Sequence, residues 1–173
     1  MFKLSTVNFL PPIMPGPATL FRVANAFALL AWVGLALTLA APRLRRWGWR
    51  VTGVLVPMLL AVGYVAALAA AVHGGAAGGV GSLDAVRALF ANDWALAAGW
   101  VHYLAFDVAV GTWIARTGVA AGVPRLLLLP CLALTFLAGP AGLLAYLLLR
   151  LATSPRAGRP PRAEAPSRWE SLA

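Results

Sequence analysis

Four long apolar stretches, at roughly residues 21–41, 51–72, 95–115 and 126–152, set the pattern of this chain, and each is bounded by charge, proline or glycine. A helix needs about 20 mostly apolar residues to cross a bilayer, and every stretch meets that length. None alternates with a period of two, which argues for packed helices over a barrel. The expected fold is all-α: an integral membrane bundle of four transmembrane helices, with a short interfacial helix between the second and third. Residues 1–20 read as an irregular lead-in, 21–152 as the bundle, and 153–173 as a disordered, basic, proline-rich tail.

The breaks between stretches refine this picture. Proline ends the first helix at Ala41-Pro42, and an arginine-rich turn follows with Trp47 and Trp49 placed as interfacial anchors. Pro57, a turn inside the second stretch, kinks that helix or marks its early turn. A glycine-rich break runs from His73-Gly74-Gly75 through Gly81; without a following lysine or GK[ST] it is no phosphate loop. Ser82 to Phe90 then reads as a helix too short to cross, with Ser82 as N-cap and Asp84 in its first turn. Leu83, Val86, Leu89 and Phe90 share one of its faces. The fourth stretch holds Pro130, Gly139-Pro140 and Gly142, so it is expected to be bent or broken in its middle. Carbonyls freed between Phe136 and Pro140 are tolerated only where they face protein or a polar cavity. The N-terminus does not resemble a cleaved signal, because Pro11, Pro12, Pro15 and Pro17 interrupt any apolar core.

Composition supports the membrane assignment and narrows the partners. At 61% hydrophobic and 11% charged, with mean hydropathy +0.82, the chain cannot present the polar shell of a soluble domain. Its net charge of +9 comes from arginines at helix ends and in the tail, which suits anionic lipid headgroups; no nucleic-acid platform is visible. If four helices cross, one side collects eight basic residues (Lys3, Arg22, Arg87, Arg150, Arg156, Arg159, Arg162, Arg168) and the other six, a count that leaves orientation open. Cys131 is alone, so it forms no intrachain disulfide or cysteine zinc site and reads as a packed thiol. The Ala/Leu/Arg/Gly/Pro-rich composition suggests a GC-rich bacterium, hence an inner membrane, with assembly into a homo-oligomer or larger complex left open.

The chemistry concentrates in WALAAGWVHYLAFDVAVGTWI, where His102, Tyr103 and Asp107 sit inside an apolar helix. An intramembrane carboxylate costs several kcal/mol unless it is neutral, paired or wet. At about 100° per residue, Trp100, Tyr103, Asp107, Gly111 and Ile114 form one stripe, and His102, Phe106, Ala109 and Trp113 another. Tyr103 is thus one turn from Asp107, whereas His102 stands about 140° away and forms no dyad with it on one helix. Asp107 serves either as a protonated carboxyl bonded to Asn25, Tyr64, Thr135 or a free carbonyl, or as a general acid. His102 is either a packing histidine or a base. Gly99 and Gly111 leave room for a neighbouring helix or a flat ligand. His73 and His102 could hold a haem in principle, but two histidines with one at a loop edge make a weak case, and no metal site or cofactor is expected. Trp100, Phe106, Gly111 and Asn25 are the candidate residues for lining a polyene or isoprenoid slot.

The core W-x-H-Y-L-x-F-D and the ending PCLxLTFLxGPxGLLxYLLLR resemble the neoxanthin-synthase-like family related to plant abscisic-acid-deficient-four. ANAFALLAW is similar as well, so the resemblance covers roughly residues 20–151. It implies a role in xanthophyll metabolism, the plant member being associated with conversion of violaxanthin to neoxanthin. Opening a 5,6-epoxide to an allenic alcohol is a redox-neutral isomerisation in which an acid protonates the oxygen while a base removes a vinylic proton. On that implication Asp107 is the acid, His102 the base or proton shuttle, and Tyr103 orients Asp107. The alternative is a non-catalytic membrane protein that binds pigment or supports assembly of a complex.

Overall fold

The computed structural model describes residues 16–153, so the expected basic tail and most of the lead-in fall outside it. Among the described residues all regular structure is helical, in the order α1 (Pro17–Ala40), α2 (Pro42–His73), α3 (Leu83–Phe90), α4 (Asp93–Ala120), α5 (Arg125–Ala138) and α6 (Pro140–Thr153). Three of these, α1, α2 and α4, are long and apolar enough to cross a membrane. Helix α1 begins at Pro17, ahead of the expected start, because proline at the first helical position has no useful N–H to lose. It stops before Pro42, as its sequence requires.

Helix α2 opens with a 3₁₀ turn at Pro42–Leu44 and widens into a π segment at Val51–Leu55, just ahead of Pro57. Proline removes a donor and crowds the preceding turn, and a wider turn accommodates both effects. At this point Gly53 packs closely on Thr112, and the Thr52 and Thr112 hydroxyls lie 2.8 Å apart. Helix α4 is the centre of the molecule, packing against α1, α2, α5 and α6. Leu35, Val108, Ile114, Ala115, Leu128 and Tyr146 are fully buried around it. The outer surface remains apolar, with Leu30, Val62 and Leu137 among the exposed residues, as lipid-facing helices require. Helix α3 has the expected N-cap, the Ser82 hydroxyl accepting from the Ala85 N–H at 3.2 Å, and Asp84 pairs with Arg87.

The fourth stretch departs from expectation. In place of a fourth transmembrane span it forms a hairpin of two 14-residue helices, α5 and α6. Each is about 21 Å long at 1.5 Å per residue, short of the ~30 Å hydrocarbon core. Helix α5 starts beside the end of α4, where Leu128 covers Gly118, and climbs to Gly139 beside Asp107 near the midpoint of α4. Helix α6 then returns along α4: the Tyr146 hydroxyl lies 2.6 Å from Thr117 Oγ1, and Arg150 Nη1 donates to the Thr117 carbonyl at 3.3 Å. The physical reason lies in the Gly-Pro-x-Gly break. Pro140 cannot donate to continue α5, Gly139 adopts a φ of +24°, and Gly142 lies so close to Thr135 that a Cβ there would overlap its backbone. The break residues reverse the chain instead of bending it.

This reversal moves the end of the described chain to the other face of the bundle. Arg43, Arg45, Arg46, Arg50, Arg116, Arg125 and Arg150 now share one end, whereas Arg22 and Arg87 are the only described arginines at the other. The described acids outside the spans, Asp84 and Asp93, lie at that second end.

Candidate functional site

The stripe expected on α4 exists as a polar seam running inward from one end of the bundle. Asn25 on α1 accepts from the Trp100 indole N–H at 3.2 Å and donates to the Phe21 carbonyl at 2.7 Å. The Trp100 ring lies 5.6 Å from that of Tyr103, and Asp107 follows one turn further on along the same face of α4. Asn25, Trp100 and Tyr103 are therefore linked side chain to side chain across α1 and α4, and Asp107 extends the line one turn inward. Asn25, named in the sequence as a partner for Asp107, is instead committed to Trp100.

At the inner end of the seam Asp107 meets the hairpin tip. A Cβ at Gly139 would lie 2.6 Å from Asp107 Oδ1 and 3.1 Å from Oδ2, so only glycine leaves room for the carboxyl. Oδ2 is buried and has no hydrogen-bond partner. The surrounding backbone is the junction where α5 ends and α6 begins, and the Gly139 carbonyl accepts from the N–H groups of Gly142 and Leu143. A carboxyl here meets the positive end of α6, and in its protonated form it also has a proton to donate. Thr135, another partner suggested by the sequence, spends its hydroxyl on the Cys131 carbonyl at 2.7 Å. Cys131 itself is packed, its thiol directed to the Leu127 carbonyl at 3.4 Å.

His102 belongs to a different face. It is exposed on the outer surface, with its ring 4.5 Å from Phe106 and 5.5 Å from Tyr64 on α2. Tyr64 is thus a neighbour of His102, not of Asp107. Phe106, 61% exposed, extends this aromatic patch toward the lipid. His73 is separate again, its Nδ1 lying 2.7 Å from the Ala69 carbonyl of its own helix.

Gly111, the remaining candidate, is buried beneath the Trp32 ring of α1, which occupies the space a side chain would need. Of the two uses foreseen for this glycine, the structure displays the close approach of a helix. Gly99 does the same for Phe90. Trp32 also forms an edge contact with Phe136 at 5.6 Å and lines an apolar groove of about 360 Å³ between α1 and α5, with Leu29, Val33, Leu132 and Phe136. The groove thus borders the stripe one turn from Asp107. A second cavity of about 550 Å³ lies at the outer end of the seam, lined by Pro17, Phe21, Asp93 and Trp100. Sequence reasoning missed Gly139 and Trp32 as neighbours of the stripe. The Gly-Pro-x-Gly signal was visible, but not the residue it would approach.

Three membrane-length helices holding a half-depth hairpin against a half-buried carboxyl define a multi-pass membrane protein with an acidic group at mid-span. The chain belongs to the ABA DEFICIENT 4-like family, which it matches over residues 19–146, from the start of α1 to Tyr146 in α6. No curated protein and no solved structure matches it.

Proposed function

We propose that the protein acts on a carotenoid or related isoprenoid within the bacterial inner membrane, as an isomerase that opens an epoxide or equivalent group by proton transfer. The observation that carries this reading is Asp107 Oδ2, buried at mid-span with no partner, in a family to which xanthophyll chemistry is attached by resemblance. A carboxyl with unmet bonding capacity in low dielectric is suited to hold a proton and give it to a substrate oxygen. In this reading Asp107 is the acid and Tyr103 orients it. The apolar groove beside Trp32 admits the polyene from the lipid, and Trp100 and Asn25 close the outer end of the seam. Proton donation and removal at one ring end need groups a few ångströms apart, so His102, with Phe106 on the adjacent face, takes a shuttle or substrate-contact role. The reaction balances without an oxidant: Asp107 gives its proton to oxygen, and the proton that leaves carbon passes to the carboxylate so formed or, through water, to His102. The arginine-rich end of the bundle faces the cytoplasm by the positive-inside rule.

A second reading rests on the contact between Asp107 and Gly139. Here the carboxyl fastens the hairpin tip, and the protein binds pigment or supports assembly without catalysing a reaction.

Pigment extraction from cells with and without the gene, and with Asp107→Asn or His102→Ala, separates the readings. The first predicts a changed pigment profile in the deletion that Asp107→Asn reproduces while the protein stays in the membrane. Altered pigment in the deletion but wild-type pigment in both variants supports the second. Unchanged pigment in the deletion removes the carotenoid role.

A further inference from the structure

The hairpin covers only half of the α1–α4 face on which it packs. Its tip stops at Gly139, beside Asp107. From there to Asp93 at the start of α4 is about 21 Å at 1.5 Å per residue. Over that length the face is open: Phe21 and Trp100 are each 41% exposed, and Asn25, Tyr103 and Asp107 keep part of their surface exposed. The tip is bare on the same side. Phe136, Leu137, Ala138, Pro140 and Ala141 are all exposed. Helix α5 ends there without a capping bond, because the Gly139 N–H reaches no acceptor among the described residues and Pro140 has no N–H for the Phe136 carbonyl.

Hydrocarbon is a poor cover for such a surface. An unmet backbone group costs several kcal/mol in the bilayer core, and a carboxyl at that depth must be neutral, paired or wet. The described cations at the near end do not serve Asp107, since Arg22 donates to Thr19 and Arg87 to Asp84. The polar groups of the seam instead lead outward, from Asp107 past Tyr103, Trp100 and Asn25 to the cavity of about 550 Å³ that Asp93 lines. Trp100 and Asn25 close the seam to a bulky chain, yet their exposed portions stay wettable. Toward the arginine-rich end the way is shut, with Leu128 filling the space over Gly118 and Tyr146 fully buried.

We infer that water fills the open half of this face, from the cavity at Asp93 down to the hairpin tip, and connects Asp107 to the membrane face opposite the arginine-rich end. Water there supplies the backbone partners that the tip lacks, and it lets the carboxyl exchange its proton with one side of the membrane only. This holds whether Asp107 gives its proton to a substrate or fastens the hairpin.

The test is thiol accessibility in the full chain in cells, in a Cys131→Ala background. Ala138→Cys and Ala141→Cys place a thiol at the tip, Leu30→Cys places one on the lipid face of α1 near mid-span, and Gly79→Cys marks the face before α3. The probe is a membrane-impermeant methanethiosulfonate carrying a trimethylammonium group, which reacts with the thiolate and therefore needs water at the sulfur. Both tip thiols are expected to react from the same face as Gly79→Cys, at least about tenfold faster than Leu30→Cys. Tip thiols that react no faster than Leu30→Cys, yet react fully once the protein is unfolded in detergent, overturn the inference, whether lipid, a ligand or a second copy covers the tip. Reaction only from the opposite face overturns it as well. Both tip positions already carry an exposed methyl group, so if one variant fails to reach the membrane the other carries the test.

Discussion

Helices α1, α2 and α4 each carry enough apolar length to cross a bilayer, whereas α5 and α6 carry a similar length between them and do not cross. The first group closes its backbone hydrogen bonds internally and can be surrounded by lipid on its outer face. The hairpin leaves one helix C-terminus and one helix N-terminus at mid-depth, and exposed backbone of that kind is tolerated only against protein or a polar cavity. It therefore needs close support, which Asp107, Thr135 and Gly142 supply at the tip and Thr117 supplies along α6. The difference teaches where an ionisable residue is needed. Asp107 stands where the backbone is broken, and that same broken backbone gives the carboxyl its polar surroundings.

Glycine substitutions test this contrast most forcefully. Gly142→Val drives a side chain into the Thr135 backbone and is expected to destabilise the protein by about 3 kcal/mol, read as thermal denaturation in detergent. Gly34→Ala in α1, where nothing lies within 4 Å, should be neutral or stabilise by up to ~1 kcal/mol. If both changes had the same effect, the tip would be no more tightly packed than a lipid-facing helix. Next in size is Tyr146→Phe, which removes the hydroxyl held by Thr117 and Arg150 and should cost about 1 kcal/mol. The smallest effect is expected within the crossing helices. Thr52→Val leaves Thr112 bonded to the Val108 carbonyl and should cost under ~1 kcal/mol in the same assay.

The sequence made some of this legible because helical periodicity is local. Trp100, Tyr103 and Asp107 lie along one face as the 3.6-residue repeat predicts, and His102 lies apart from Asp107 for the same reason. Proline marked the C-terminal end of α1, and glycine with proline marked the interruption of the fourth stretch, since both act on their immediate neighbours. What was not legible depends on residues far apart in the chain. Whether Gly139-Pro140 bends a helix or reverses it is decided by Tyr146 reaching Thr117 and by Thr135 meeting Gly142, contacts that apolar length cannot encode. The partners of Asn25 and Gly111 are likewise set by how α1 crosses α4, which places Trp100 on one and Trp32 on the other. The charge count that left orientation open assumed a fourth crossing, and it changes once α6 returns to the arginine-rich end.

The hairpin is tested most directly by the face on which the chain leaves it. In a Cys131→Ala background, single cysteines at Gly79, in the loop before α3, and at Thr153, at the end of α6, can be labelled in intact cells with a membrane-impermeant maleimide. The account predicts that Gly79→Cys labels from outside and that Thr153→Cys labels only after the membrane is permeabilised. Labelling of both positions from the same face would mean that the fourth stretch crosses, and would contradict the hairpin.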